Sequence, residues 1–488
     1  MEIDELLGFA KRAGFFWPAA EVYGGASGLF DYGHLGATLK RNFEGAWLRY
    51  FVTANGYHLI EGSNMLPEKP LIASGHASRF NDVVVGCSKC KTYYRADVLL
   101  NELKIKVSEG ASAKELEEAI RSNGVKCQKC GGALMEPKDF NLMVDVALGP
   151  EKHEKGYLRP ETAQSTYLNF FREFNLLRKK LPMGLAIIGR AYRNEISPRQ
   201  GLYRMRELTQ AELQIFFDPG GWEIDDRERL LDRKVNVVPY SSHEQRAMSG
   251  NEMIKELGMP KFYAFHMCMI DRFYMEAMRI PKEKLRFMEL GGDEKAFYNK
   301  LHFDIQADIQ SWGGFKEIGG LHYRGDHDLS SHTKGSGQDM SVDVNGRKVM
   351  PNVLELSFGV DRNIWMLVDL LYSKEGERSV LKLPYRIAPY SIAVLPLQKD
   401  DKIIEYASSL ARELRSSFNL FYDESGSIGR RYARMDEAGT PLCITVDFET
   451  VGDNPAERDT VTIRDRDTKK QDRVKRAGLP AAIASALE

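Results

Sequence analysis

The stretch GLAIIGRAYRNEISPRQGLYRMRELTQAELQIFF, residues 184–217, decides the fold. It divides into two long strand-like runs joined by the turn Ser197-Pro198-Arg199-Gln200-Gly201. Side chains alternate between faces along a strand. Arg193 and Glu195 therefore share one face, and Arg204, Arg206, Leu208, Gln210, Glu212 and Gln214 share a face of the partner run. Long alternating strands from about Gly184 onward predict a large domain built on an antiparallel sheet. The charged face itself has two readings, a solvated sheet surface or a binding surface.

Outward from it, PNVLELSFGVDRNIWMLVDLL (351–371) reads as a strand running into a helix, with Val360, Ile364, Leu367, Val368 and Leu371 turned inward. Arg362 falls in the first helical turn, where the backbone is partially positive, so a cation there calls for an anionic partner. Glu355, Ser357 and Gly359 alternate onto one strand face, which leaves a carboxylate and a hydroxyl beside a position without a side chain. That is a small polar pocket. Toward the N-terminus, Gly24-Gly25 and DYGHLG (31–36) form a glycine-rich loop. A helix follows, carrying Leu39, Phe43, Trp47, Tyr50 and Phe51, with Asn55-Gly56 as its stop.

Leu383-Pro384-Tyr385-Arg386-Ile387-Ala388-Pro389 marks a hinge. Beyond it, SIAVLPL (391–397), FNLFYD (418–423), PLCITVDF (441–448) and TVTIRD (460–465) read as strands and 402–416 as a helix, a compact α/β unit. The chain thus divides into 1–385 and 386–488. Four of the six cysteines form two knuckles, Cys87/Cys90 and Cys127/Cys130, around a helical spacer at 113–120. Paired C-x2-C knuckles bring four thiolates to one Zn²⁺. With no open position indicated, the metal is expected to be structural, in an insertion at about 86–140.

At 488 residues the chain is long enough for two or three domains. With 43% apolar and 28% charged residues and no unbroken apolar run of 18, it is not a membrane protein. MEIDELLGFAKRAGFFW does not read as a secretory signal, so the cytoplasm is the expectation. A net charge of −1 advertises no nucleic-acid binding by the whole molecule. Locally, 464–476 holds seven basic residues against three acidic ones, either a nucleic-acid contact or a solvated face.

Together these segments resemble motifs 2 and 3 of class II aminoacyl-tRNA synthetases, and the chain is similar nearly end to end to the dimeric glycyl-tRNA synthetase family. The resemblance is carried by GFFWPAAEVYGG (14–25), LRPETAQ (158–164), YRNEISPR (192–199), LELSFGVDR (354–362), SGSIGRRYARMDEAGTP (425–441) and TVTIRDRD (460–467). It implies an α+β catalytic domain on an antiparallel sheet, the class II synthetase fold, with a C-terminal α/β anticodon-binding domain. It also implies ATP with Mg²⁺, glycine and tRNA(Gly) as ligands, and a homodimer whose interface uses Leu39–Phe51 and the segment through Pro67. Neither an HIGH nor a KMSKS element of class I is present. A catalytically silent accessory factor and another class II synthetase are the rival readings.

By the same resemblance, Arg193 holds the α-phosphate and the glycine carboxylate, Arg362 the γ-phosphate, and Glu195 the adenine amino group. Arg204 and Arg206 lie over the triphosphate. Asn194, Tyr203, Met205, Leu208, Ile318 and Gly359 complete the ATP site, and Glu317 and Glu355 are candidates for contact through Mg²⁺. Glu161, Glu212, Glu355 and Ser357 match the positions around the glycine ammonium, and Arg95, Thr209, Gln210 and Arg324 are further pocket candidates. Arg430, Arg431, Arg464 and Arg466 are candidates for tRNA. Three departures stand out: Leu208 replaces an adenine-stacking phenylalanine, His34 replaces the proline of DYGPLG, and Leu301-His302-Phe303 stands where an acidic, tryptophan-containing element is common. A pocket with no room beyond Cα rejects larger amino acids sterically, and no editing domain is then required.

Overall fold

The computed structural model describes residues 2–107, 111–150, 154–196, 198, 200–224, 229–292, 295 and 299–487. Its centre is a nine-stranded sheet. In chain order the strands are β1 (His58–Leu59), β2 (Met183–Tyr192), β3 (Glu207–Phe217), β4 (Lys234–Val238), β5 (Arg246–Ser249), β6 (Leu285–Glu289), β7 (Leu301–Ile309), β8 (Gly314–Gly325) and β9 (Asn352–Gly359). Across the sheet they run β5-β4-β6-β7-β8-β9-β3-β2-β1, antiparallel except at β2/β1 and β4/β6. The expected antiparallel sheet is thus present.

The two runs of the opening stretch pair over their whole length, from Met183 opposite Phe216 to Tyr192 opposite Glu207. They are shorter toward the turn than alternation suggested. β2 ends at Tyr192 and β3 begins at Glu207, so Arg193, Glu195, Arg204 and Arg206 lie in the connection and not on strand faces. The reason is local: the Arg193 N–H donates to Arg206 O, and the Arg206 N–H turns away to Gly28 O in the glycine-rich loop. Ser197 and Arg199 of the expected turn lie outside the described residues.

Helix α1 (His34–Trp47) starts behind Gly33, continues as a wider turn over Leu48–Val52 and stops at Gly56, whose φ is 67°. Its apolar stripe, Leu39, Phe43, Trp47 and Phe51, is completely buried against the back of the sheet with Phe273 and Phe358. This stripe is spent on the chain's own core, so it is not itself a surface for a second subunit. Helix α2 (Ala163–Leu176) packs beside β2 and β3, and helix α3 (Val360–Leu371) follows β9 directly with Val360, Ile364, Leu367 and Val368 fully buried.

Two smaller units attach. Strands Asn81–Gly86, Tyr93–Arg95 and Lys138–Asn141 form a separate sheet carrying both cysteine knuckles, with the helix Ala113–Ser122 between the knuckles and capped by Ser112. At the other end, Ile392–Pro396, Leu420–Tyr422, Leu442–Val446, Thr460–Asp465 and Gln471–Lys475 make a five-stranded mixed sheet with its own apolar core. The last of these strands lies inside the basic stretch, where the density of charge hides any apolar alternation.

Candidate active site

The strand register lays out a polar floor on one face of the large sheet. One row runs His302, His322, Glu355, Gln214 across β7, β8, β9 and β3. The next runs Asp304, Gly320, Ser357, Glu212, and beyond it Gly359 faces Gln210. Polar residues at every second position of adjacent strands therefore meet as one surface; alternation predicted the face within β3 and the face within β9, and their pairing joins the two. Above this floor lies a cavity of about 310 Å³.

One end of the cavity is acidic. Glu212 accepts from Thr162 Oγ1, from Gln210 Nε2 at 2.9 Å and from Ser357 Oγ at 3.0 Å. Burial, reinforced by the charges of Glu355 and Glu161, raises its pKa to about 8. Glu355 is likewise raised, by burial first, although Arg324 Nη1 at 2.8 Å opposes the rise. Arg324 is itself held by Asp328 through two bonds of 2.8 and 3.0 Å. Glu161 goes the other way: burial is outweighed by His76, whose Nε2 stands 3.4 Å away, and by Arg324. Three carboxylates around one small space, Glu212 and Glu355 buried and reluctant to ionise and Glu161 partly exposed, form a site that favours an incoming cation.

The other end is basic. Arg193 donates to Pro160 O at 3.1 Å and lies over the Phe80 ring. Arg362 lies over the Tyr203 ring at 4.7 Å, donates to Tyr203 O and Glu317 O at 3.2 Å, and pairs with the Glu317 carboxylate at 2.9 Å. Burial would raise the Glu317 pKa, but Arg362 holds it below the usual range. Glu195, Tyr203, Arg204, Met205, Leu208 and Gly359 line the same cavity, as do Arg95 and Thr209. Of the residues implied by resemblance for ATP, Asn194, Arg206 and Ile318 do not line it. Ile318 is fully buried, and Arg206 is engaged with Glu195 O and Ser27 O.

Four lining residues had no signal in the sequence: Leu202, Gly319, His322 and Asp361. Asp361 is buried at the start of α3, where it accepts from Lys40 Nζ on α1 at 2.7 Å, from Tyr32 OH at 2.6 Å and from the Thr209 N–H on β3. One carboxylate thus ties the glycine-rich loop, α1, β3 and α3 together beside Arg362. An Asp beside an Arg at a helix start could have been read as a dipole partner only. His322 escaped because a bulge between Ile305 and Gln306 shifts the phase along β8 after Glu317.

In the insertion, Cys87 Sγ is 3.5 Å from Cys130 Sγ and Cys90 Sγ is 3.6 Å from Cys127 Sγ, all four within 4.8 Å of one another. Thiolates at the corners of a tetrahedron of 2.3 Å bonds stand about 3.8 Å apart, so the donor set fits a closed tetrahedral metal site. Tyr94 OH lies 3.2 Å from Cys127 Sγ, and its neighbour Arg95, held by Asp82 at 3.2 Å and Asp97 at 2.7 Å, reaches the cavity.

The C-terminal arginines separate. Arg430 is exposed. Arg431, Arg464 and Arg466 are 2%, 7% and 1% exposed, which corrects their reading as tRNA contacts. Arg431 donates to Pro396 O and Leu397 O, Arg464 pairs with Asp436 at 3.0 Å, and Arg466 donates to Gly439 O and Leu383 O at 2.8 Å. A guanidinium so enclosed satisfies backbone carbonyls and carboxylates of its own chain.

Residues 146–371 match the family model of the tRNA synthetase class II core domain (G, H, P, S and T), and 391–486 match the anticodon binding domain. The glycine–tRNA ligase of Thermococcus sibiricus is 36% identical over 98% of each chain, that of Pyrococcus furiosus 37% over 97% of each. Among solved structures, prolyl-tRNA synthetase from Cryptosporidium parvum, complexed with L-proline and AMP, superposes with a TM-score of 0.58 at 12% identity, over 99% of this chain and 74% of that one. It shares the fold. On the identity and coverage of these relatives, this chain belongs to the glycine–tRNA ligase family of class II aminoacyl-tRNA synthetases.

Proposed function

We propose that this chain activates glycine with ATP and transfers the glycyl group to the 3′ end of tRNA(Gly). The observation that carries the reading is one cavity lined by three carboxylates and Ser357 together with Arg193 and Arg362. The acidic end takes the ammonium, between Glu161, Glu212, Glu355 and Ser357, with Arg324 orienting Glu355. Arg193 then lies between the substrate carboxylate and the α-phosphate. A carboxylate oxygen attacks the α-phosphorus, and pyrophosphate leaves with the electrons of the broken bond. The ribose hydroxyl of the tRNA next attacks the acyl carbon, AMP leaves, and the hydroxyl proton is released. In both steps the protein positions groups and neutralises charge.

Arg362 serves the γ-phosphate, and its planar head, stacked on Tyr203, offers its other face to the adenine. That stacking, with Leu208 as an apolar contact, stands in for the ring absent at 208. Mg²⁺ would offset phosphate charge there; Glu317, whose side chain is 43% exposed beside Arg362, would hold it, whereas Glu355 is enclosed against Arg324 with 5% of its side chain exposed. The four knuckle cysteines hold a structural zinc. The fold into 1–385 and 386–488 separates catalysis from anticodon contact, in which the exposed Arg430 takes part. Six cysteines outside disulfides, four of them given to the zinc, suit the cytoplasm. No helix among the described residues is long and apolar enough to cross a membrane. Leu59 and Met65, 54% and 53% exposed beside the sheet edge, support a homodimer through the 57–67 segment, which sedimentation at micromolar concentration would detect as a single species of twice the chain mass.

Glycine-dependent ATP–pyrophosphate exchange tests the proposal. Pure protein with Mg²⁺ should exchange with glycine, and Arg193→Ala or Arg362→Ala should each lose roughly 10²–10³ in rate. No exchange in the unaltered protein would sink it.

A further inference from the structure

Gly320 and His322 lie two residues apart on β8, opposite Ser357 and Glu355 of β9. The His322 imidazole leans along its own strand and covers Gly320. A Cβ at position 320 would lie 2.4 Å from His322 Nε2 and 2.9 Å from its Cε1, so only glycine there makes room for the ring. The ring therefore occupies the space beside Ser357 that the missing side chain would otherwise leave open. Its Nε2 stands 3.9 Å from Glu355 Oε1.

The ring is held in place. His302, its cross-strand partner on β7, packs against it with centroids 4.1 Å apart and the rings tilted by 42°, and Asn299 Nδ2 lies 3.3 Å from its Nδ1. Burial pushes its pKa well down, so near neutral pH it contributes bulk without a positive charge beside the ammonium subsite.

We propose that the His322 imidazole is the specificity-determining wall of the amino-acid subsite, closing the space beside Ser357 that a side chain on Cα would need. The inference rests on the reading that this cavity activates glycine. One methylene more or less in a pocket changes discrimination by about 10–200-fold.

The test is amino-acid-dependent pyrophosphate exchange with glycine, alanine and serine, on variants whose folding is verified by thermal melting. His322→Ala should raise kcat/KM for alanine relative to glycine by about 10–100-fold. His322→Leu, which refills the volume without the ring nitrogens, should keep the discrimination. Should His322→Ala fail to fold, His322→Asn shortens the side chain while keeping a polar group toward Asn299, and the same rise is required of it. An unchanged ratio in a folded short variant overturns the proposal, as does a leucine variant that loses discrimination as fully as the short one. Unaltered protein that shows no exchange with glycine fails the functional reading instead, which separates the two failures.

Discussion

Burial first, and then the charges of the neighbouring carboxylates Glu355 and Glu161, push the pKa of Glu212 up to about 8. An ammonium placed against it favours the ionised form, so glycine binding should release a proton below about pH 8. The sign follows from linkage: as pH falls from 8, glycine must displace a proton that is increasingly present, and its affinity should weaken by up to about tenfold per pH unit. Glu212→Gln should bind more weakly at pH 8 and lose this slope. Glycine KM against pH, with calorimetry in two buffers of different ionisation enthalpy, checks both. The raised pKa also implies that, without ligand, the contribution of this group to stability is present below the ordinary carboxyl range and is lost as pH rises through about 8. Added glycine should therefore raise Tm more at pH 8.5 than at pH 6. A flat KM profile would contradict the assignment of Glu212 to the ammonium.

At the scale of elements, the three-residue strand Tyr93–Arg95 joins two sites. Alternation turns Tyr94 toward the cysteines, where it is 5% exposed, and Arg95 toward the cavity. The insertion has a small core of its own that includes Cys87 and Cys127, and a zinc held by the four thiolates, as proposed, would clamp its knuckles together. Cys127→Ser, or chelation, should remove bound zinc, lower the melting temperature of the insertion and raise a substrate KM severalfold, with a smaller effect on kcat. Zinc per chain, limited proteolysis of 86–140 and steady-state kinetics read these separately. Metal loss with unchanged KM would mean that Arg95 is held by Asp82 and Asp97 alone.

For the whole molecule, the basic stretch fastens the C-terminal unit to the catalytic one. The hairpin of Tyr372–Glu375 and Arg378–Leu381 reaches it through Arg378 to Asp436 at 2.6 Å, and Glu375 accepts Lys469 at 2.9 Å and Lys382 at 3.0 Å. Arg466 bonds Leu383 O at the hinge, and Asn42 on α1 donates to Ala388 O at 2.9 Å. Arg466→Ala should lower Tm by several degrees, as expected for breaking a buried polar network. Arg430→Glu, on the surface, should leave Tm and pyrophosphate exchange unchanged and raise the KM for tRNA. Equal effects of the two substitutions on tRNA KM at constant Tm would argue against this division.

What the residues determined alone is the part governed by short-range periodicity. Strand pairs on either side of a turn, the strand-to-helix passage at Gly359 and the knuckle spacing are visible because alternation and ligand spacing are local properties. Glu212 on a face of one strand, and Glu355 with Ser357 on a face of another, were legible for the same reason, and their chemistry as a glycine site came from resemblance. The tertiary structure alone decided what depends on register between distant strands and on enclosure. Whether Arg464 and Arg466 face RNA or a carbonyl is a matter of burial, which charge density does not encode. His322 became part of the site only because a bulge reset the phase of β8 and Gly320 left it room, and Asp361 because three separate segments converge on it. Such convergence is set by packing across the chain, and no window of sequence contains it.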